Sequence, residues 1–266
     1  MPVSYTKKSY WILYIIIFLF FINSCKSPNK APFKGTIFLD PDIIKETDSS
    51  AFKNIYYNGQ GIRTMFDRRK DDWIQANVFL FPAKYRDSLD IEVQVNPEFK
   101  SPEIAMEYAE KYAIAIGRIS KELRKDVETV WIHRGMELFG GGNNNILIHT
   151  DYSEKHYEKQ GILEETLVHE ASHTSLDKDH SKSNEWKTAQ KMDKIFISDY
   201  ARDNPDREDI AESYLTYLAI RYRPERISDS LKAIIESAIP NRIKYFDNQS
   251  FEMYPIEWKF SLEILN

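Results

Sequence analysis

Residues 162–176 read ILEETLVHEASHTSL, and this stretch decides how the rest of the chain is interpreted. Its apolar residues recur at helical spacing, so we predict a helix over about residues 161–176. The helix contains His169, Glu170 and His173, the pattern HExxH. Residues four apart lie on one face of a helix, about one turn apart. Two imidazoles placed in this way can bind a single Zn²⁺ ion.

Glu170 supplies the residue type that hydrolysis needs beside such a metal. It lies one position round the helix from His169, within reach of a water in the open position of the zinc. Zinc lowers the pKa of that water, and a nearby carboxylate can accept its proton. The motif therefore predicts zinc-dependent hydrolysis with Glu170 as the general base.

A catalytic zinc needs a third protein ligand, and the candidates stand downstream. Glu208 and Glu212 are four residues apart near the start of a helix predicted over residues 205–222. One can bind zinc, while the other can accept a hydrogen bond from a ligand histidine and orient it. His180, seven residues after His173, is the competing third ligand. The residues alone leave these three alternatives open and favour the glutamates.

The combination of HExxH with a downstream helix that carries a zinc-binding Glu resembles the gluzincin group of metallopeptidases. The segment YARDNPDREDIAE, residues 200–212, is similar to the corresponding stretch of anthrax-lethal-factor-like peptidases and of uncharacterised zincin-like bacterial lipoproteins. The resemblance covers residues 163–226. It implies that Glu208 binds zinc, that Glu212 lies just outside the ligand set, and that Tyr200 stabilises the oxyanion. A phenol is also, on physical grounds, a good neutral donor to a tetrahedral intermediate.

Strands come first and helices later in the predicted element order, which indicates an α+β domain. The strands are predicted over residues 36–39, 73–81, 89–95, 127–133 and 146–149, and the helices over residues 101–123, 161–176, 185–196, 205–222 and 229–238. The glycine- and asparagine-rich stretch 140–145 is predicted as a loop, and the mixed-sign run DRRKDD, residues 67–72, as a solvated turn. The resemblance implies a zincin-like metallopeptidase domain, with a mixed sheet, a backing helix and the HExxH active helix. Strand 146–149 would then border the cleft and pair with an extended substrate.

The N-terminus has the pattern of a bacterial lipoprotein signal. Two lysines precede a twelve-residue apolar run, residues 11–22, which is too short for the roughly 20 residues of a spanning helix. The run ends in INSC, which resembles a lipobox with Cys25 as the lipidated residue. A plain signal peptide and a short signal anchor are the alternatives. The predicted organisation is a signal peptide over residues 1–24, a tether over 25–35 and a single catalytic domain over 36–266.

Composition limits the function further. The chain of 266 residues is 42% hydrophobic and has a formal net charge of −5, which argues against a general nucleic-acid binder. A single Cys excludes an intrachain disulfide and a cysteine-cluster metal site, so a metal must be held by His and carboxylates.

We therefore predict a zinc-dependent hydrolase of the bacterial cell envelope, anchored to the membrane through its N-terminal lipid, with a peptide or protein as its substrate. One alternative is a non-catalytic envelope lipoprotein, a binding or assembly module on a zincin-like scaffold. Another is a hydrolase of a non-protein envelope polymer.

Overall fold

A seven-stranded mixed sheet organises the protein in the computed structural model, which describes residues 30–35 and 43–257. The strands are β1 (Phe52–Ile55), β2 (Gln60–Asp67), β3 (Asp72–Tyr85), β4 (Asp90–Val95), β5 (Thr129–His133), β6 (Gly140–Gly142) and β7 (Asn145–His149). They are ordered β1-β3-β4-β5-β7-β6, and β2 pairs with the first half of β3. The β4–β5 and β5–β7 pairs are parallel, and the others are antiparallel. The predicted combination of a mixed sheet with several helices is confirmed.

The described ranges also contain eight α-helices of four or more residues. They are α1 (Pro102–Ile116), α2 (Lys121–Arg124), α3 (Leu163–Ser175), α4 (Asn184–Asp193), α5 (Asp199–Asp203), α6 (Asp209–Tyr222), α7 (Asp229–Ala238) and α8 (Pro240–Asp247). Shorter helical turns connect them, including π-helical segments at Ser153–Glu158 and Asp177–Ser181. Within the described ranges, none of the helices has the length and apolar character needed to cross a bilayer.

Helix α1 is the helix predicted to back the sheet, and it is shorter than expected. Ser101 caps it by accepting a hydrogen bond from the Ile104 N–H, and Pro102 occupies the first helical position. The helix ends at Gly117, where a Cβ would lie 2.2 Å from the Ser50 hydroxyl oxygen. The chain before β1 therefore leaves no room for a side chain at this position, and the single helix predicted over residues 101–123 is wrong. The chain resumes as α2 after a turn.

Two elements close to the HExxH helix, β6 and α6, also differ from their predictions. Residues 140–142 form β6 instead of a loop, because they pair with β7 in antiparallel register. Helix α6 begins at Asp209 and not at Pro205, since the Asn204 carbonyl closes a turn by accepting the N–H groups of Arg207 and Glu208. Strands β1 and β2 and helices α5 and α8 were not predicted.

The first described residues are paired with the body of the protein. Phe33 forms a parallel bridge with Ser198, and its carbonyl accepts the Asp199 N–H at 2.9 Å. The end of the expected tether, residues 25–35, is thus in contact with the segment that leads into α5. From Ala31 onward the described residues belong to one compact unit. The predicted signal peptide, Cys25 and strand 36–39 lie outside the described residues.

Candidate metal centre

Helix α3 carries the HExxH motif and is enclosed on nearly every side. It packs against α6, α2, β6 and β7. Within its thirteen residues, only Glu170 and His173 are not fully buried. Both residues belong to the motif and line the same cleft as His169, although the His173 side chain itself is only 8% exposed.

Three side chains from α3 and the start of α6 converge at the bottom of this cleft. The Nε2 atoms of His169 and His173 lie 3.3 Å apart. The Oε2 atom of Glu208 lies 3.3 Å from Nε2 of His173 and 3.5 Å from Nε2 of His169. His169, His173 and Glu208 could together hold one metal ion.

The outer nitrogens of both imidazoles face carboxylates. Nδ1 of His173 lies 2.9 Å from Oδ2 of Asp177, and Nδ1 of His169 lies 3.6 Å from Oε1 of Glu212. Glu212 is itself positioned by the Ser198 hydroxyl, which donates to its Oε2 at 2.7 Å. This arrangement turns the Nε2 atoms toward the centre, as outer carboxylates do for metal-binding histidines.

Tyr200 and Arg207 lie beside the three-residue cluster, and both contact the carboxylate of Glu208. The Tyr200 hydroxyl donates to Oε1 of Glu208 at 3.0 Å, and Nε of Arg207 lies 3.3 Å from that oxygen. The backbone N–H of Tyr200 donates to the Lys34 carbonyl at 3.0 Å. One oxygen of Glu208 is therefore held by neighbours while the other faces the two histidines.

The protonation equilibria of the cluster reflect this mutual pairing. Burial alone would raise the pKa of Glu208, but hydrogen bonding and the charges of His169 and His173 hold it below its ordinary range. Burial would lower the pKa of His173, yet its bonds to Asp177 and Glu208 raise it to about 10. Because a metal ligand must be deprotonated, binding a cation here would release a proton from His173.

His180, the competing third ligand, is not part of the group. Its Nδ1 lies 2.6 Å from the Tyr245 hydroxyl, and its ring packs edge-on against Phe251. Burial lowers its pKa. Glu208 is the third member of the cluster that the structure brings together.

Strand β6 borders the cleft and ends the sheet among the described strands. The predicted strand 146–149 is present as β7, but its predicted position at the edge of the sheet is wrong. Gly141 touches the active helix: a Cβ built there would lie 1.8 Å from the carbonyl oxygen of Glu170. The Gly142 N–H donates to Oγ1 of Thr174 at 2.9 Å. The glycines thus let the edge strand pack directly on the backbone of the helix that carries the motif.

Two arginines line the cleft and were not singled out from the sequence. The cleft has a volume of about 260 Å³, and its lining includes Arg68 and Arg207 beside Glu170 and Glu208. Arg68 comes from the turn between β2 and β3, in the charged run that was predicted to be a solvated turn. Its side chain is half-buried, and nothing in the local sequence distinguishes it from its charged neighbours.

Comparison of the chain with protein-family models, with curated proteins and with solved structures found no match.

Proposed function

We propose that the protein is a zinc-dependent peptidase of the cell envelope with a zincin-like fold. The observation that carries the proposal is the spacing of the three candidate ligand atoms, 3.3 to 3.5 Å apart. Zinc binds imidazole and carboxylate at about 2.0–2.2 Å in tetrahedral geometry, which requires ligand atoms about 3.3–3.5 Å from one another. The three atoms already stand at the corners that one such ion would need.

The donor set and its surroundings agree with a catalytic site. His169, His173 and Glu208 would supply two imidazole nitrogens and one carboxylate oxygen, which is a known donor set of catalytic zinc sites. Glu170 lines the cleft beside the three candidate ligands and is partly exposed. A structural site would be closed on this side.

Each side chain around the cluster has a role in the proposed reaction. Bound zinc would supply a Lewis acid and lower the pKa of a water. Glu170 accepts the proton of the attacking water, and the Tyr200 hydroxyl donates a hydrogen bond to the oxyanion that develops on the substrate. Asp177 and Glu212 keep His173 and His169 oriented.

The sheet favours a peptide as the substrate. Strand β6 pairs only with β7 in the described sheet, so its second edge can pair with an extended chain. Gly141 brings this edge within contact of the Glu170 backbone, which places such a chain beside the proposed base. The mixed sheet, the backing helix α1 and the active helix α3 agree with the zincin-like fold.

The location at the envelope rests on the sequence. A lipid on Cys25 would anchor the chain to the membrane, with the tether residues leading to the body. A non-catalytic binding or assembly lipoprotein is the second candidate. The half-buried Glu170 in an open cleft favours the enzyme, since a binding module has no need of a base beside a metal.

Metal content and hydrolysis of the full-length chain in detergent test the proposal. We expect about one zinc per chain, lost in His173→Ala and bound more weakly in Glu208→Gln. Glu170→Gln should retain zinc while hydrolysis of a peptide mixture falls by about 10²- to 10⁴-fold. Zinc without hydrolysis of peptides or of cell-wall polymers would favour the binding module, and cleavage of the polymers alone would replace the peptide substrate. Absence of zinc after incubation with it would refute the proposal.

A further inference from the structure

The cleft contains a half-buried cation that no carboxylate of the described residues neutralises. Arg68 lines the cleft, and its guanidinium has no ion pair within residues 30–35 and 43–257. The neighbouring Arg69, in contrast, forms ion pairs with two carboxylates, at 2.8 Å from Asp67 and 2.8 Å from Glu98. Arg207, the other arginine of the cleft, is paired with Glu208 and mostly exposed. A partly desolvated guanidinium without a partner is unfavourable, and a ligand carboxylate would relieve that cost.

The fold makes room for this guanidinium beside the edge strand. A Cβ built on Gly140 would lie 2.7 Å from Nη2 of Arg68. The φ angle of Gly140 is not positive, so its backbone conformation does not call for glycine. The glycine instead leaves space for the Arg68 side chain. The guanidinium therefore lies over β6, the strand along which an extended substrate would run.

The charges around the cleft also favour an anionic group once the metal is present. Glu170 and Glu208 contribute two negative charges to its lining, and Arg68 and Arg207 contribute two positive charges. A divalent cation held by the His169 cluster would leave the cleft net positive. Buried Phe139 lines the same cleft, so part of the wall beside these charges is apolar.

We propose that Arg68 binds a carboxylate side chain of the substrate, so that the enzyme selects peptides with Asp or Glu near the bond that it cuts. A guanidinium matches a carboxylate through two parallel hydrogen bonds, which the corresponding amide cannot accept. This inference rests on the proposed function and names its substrate class. It makes Arg68 a specificity-determining residue.

Peptide capture tests recognition separately from catalysis. Zinc-loaded full-length Glu170→Gln protein is incubated with a random-sequence dodecapeptide library, and the bound peptides are isolated and sequenced by mass spectrometry. We expect Asp and Glu to be enriched over Asn and Gln at one position by about tenfold. The enrichment should disappear when Arg68→Gln is added and should change to Lys and Arg with Arg68→Glu. The matched control is Lys70→Gln, which removes an exposed charge from the same turn and should leave the enrichment unchanged.

The active protein is then given the same library, and its cleavage sites are read. Zinc-dependent cleavage without acidic preference, or with a preference that survives Arg68→Gln, would overturn the inference and leave the peptidase proposal standing. Acid-selective capture that depends on Arg68, without any cleavage, would support the recognition site and refute the hydrolase. Absence of both capture and cleavage would refute both. Thermal unfolding of each variant identifies any loss that is due to misfolding.

Discussion

The contact between β6 and the active helix predicts a sharp difference between two adjacent glycines. In Gly141→Ala the new carbon would start 1.8 Å from the Glu170 carbonyl oxygen, whereas real Cβ contacts almost never fall below 3.0 Å. Strand and helix backbones must therefore separate by about 1.2 Å, the difference between these two distances. In Gly140→Ala the new carbon meets the far end of the Arg68 side chain, which can move aside.

The size of the destabilisation depends on whether packed backbone or a flexible side chain must move. Forcing packed backbone apart costs about 3 kcal/mol of unfolding free energy, which corresponds to about 6–12 °C in Tm for a chain of this size. Gly140→Ala should cost less than about 1 kcal/mol. Displacing the backbone beside Glu170 by 1 Å should also reduce hydrolysis by about 10²-fold. The zinc content of both variants should stay near that of the wild type, because the atoms nearest to a Cβ at either glycine belong to Arg68, Leu147 and the Glu170 backbone and not to His169, His173 or Glu208.

Thermal unfolding followed by circular dichroism measures the first effect, and Gly35→Ala is the control, since nothing lies within 4 Å of a Cβ at that position. The reasoning is wrong if Gly141→Ala unfolds within 1 °C of the wild type. It is equally wrong if Gly140→Ala destabilises the protein as much as Gly141→Ala does.

Three further predictions concern single side chains. Burial raises the pKa of Glu165 to about 8, so the stability that its protonated form provides is present below pH 4.5 and is lost as the pH rises to 8. Glu165→Gln keeps an acceptor for the Ile44 N–H and cannot ionise. Between pH 5 and pH 8 its free energy of unfolding in urea should therefore rise by a few kcal/mol relative to that of the wild type. The same pH dependence of this free energy in both proteins would contradict the prediction. Asp177→Asn should weaken zinc binding by about 10- to 100-fold in competition with a chromophoric chelator, whereas Asp179→Asn, on an exposed position of the same segment, should not. Tyr200→Phe should lower kcat by about 10²-fold with unchanged zinc content, and an unchanged kcat would remove Tyr200 from the mechanism.

Local sequence periodicity was sufficient to predict the centre of the site. The spacing of His169 and His173 fixes them on one face of a helix, and no tertiary information is needed for that. Glu208 was predicted as the third ligand from a local pattern and a resemblance, although α6 begins one residue after it. The predicted start of this helix was therefore wrong, whereas Glu208 does lie in the cluster with the two histidines.

Of the parts that the sequence does not reveal, one is a local turn and the others depend on contacts between distant segments. Asp177 reaches His173 because the chain continues past α3 as a π-helical turn, which has no clear sequence signal. Arg68 enters the cleft only because the β2–β3 hairpin folds beside β6, residues that are far apart in the chain. The strand at Gly140–Gly142 has no side chains from which alternation could be detected, so only its pairing with β7 defines it.

Because α6 and α3 are buried, we expect the two sides of the cleft to differ in how readily they unfold locally. Every residue from Asp209 to Ile220 is buried, and α3 is nearly as enclosed. Amide protons in the middle of these helices should exchange with solvent only when the whole protein unfolds. Strand β6 is three residues long and pairs with a single strand in the described sheet, so its amides should exchange sooner than those of α3 and α6. We therefore expect the helix that carries His169 and His173 to resist local opening, and the wall formed by the glycine strand to open first.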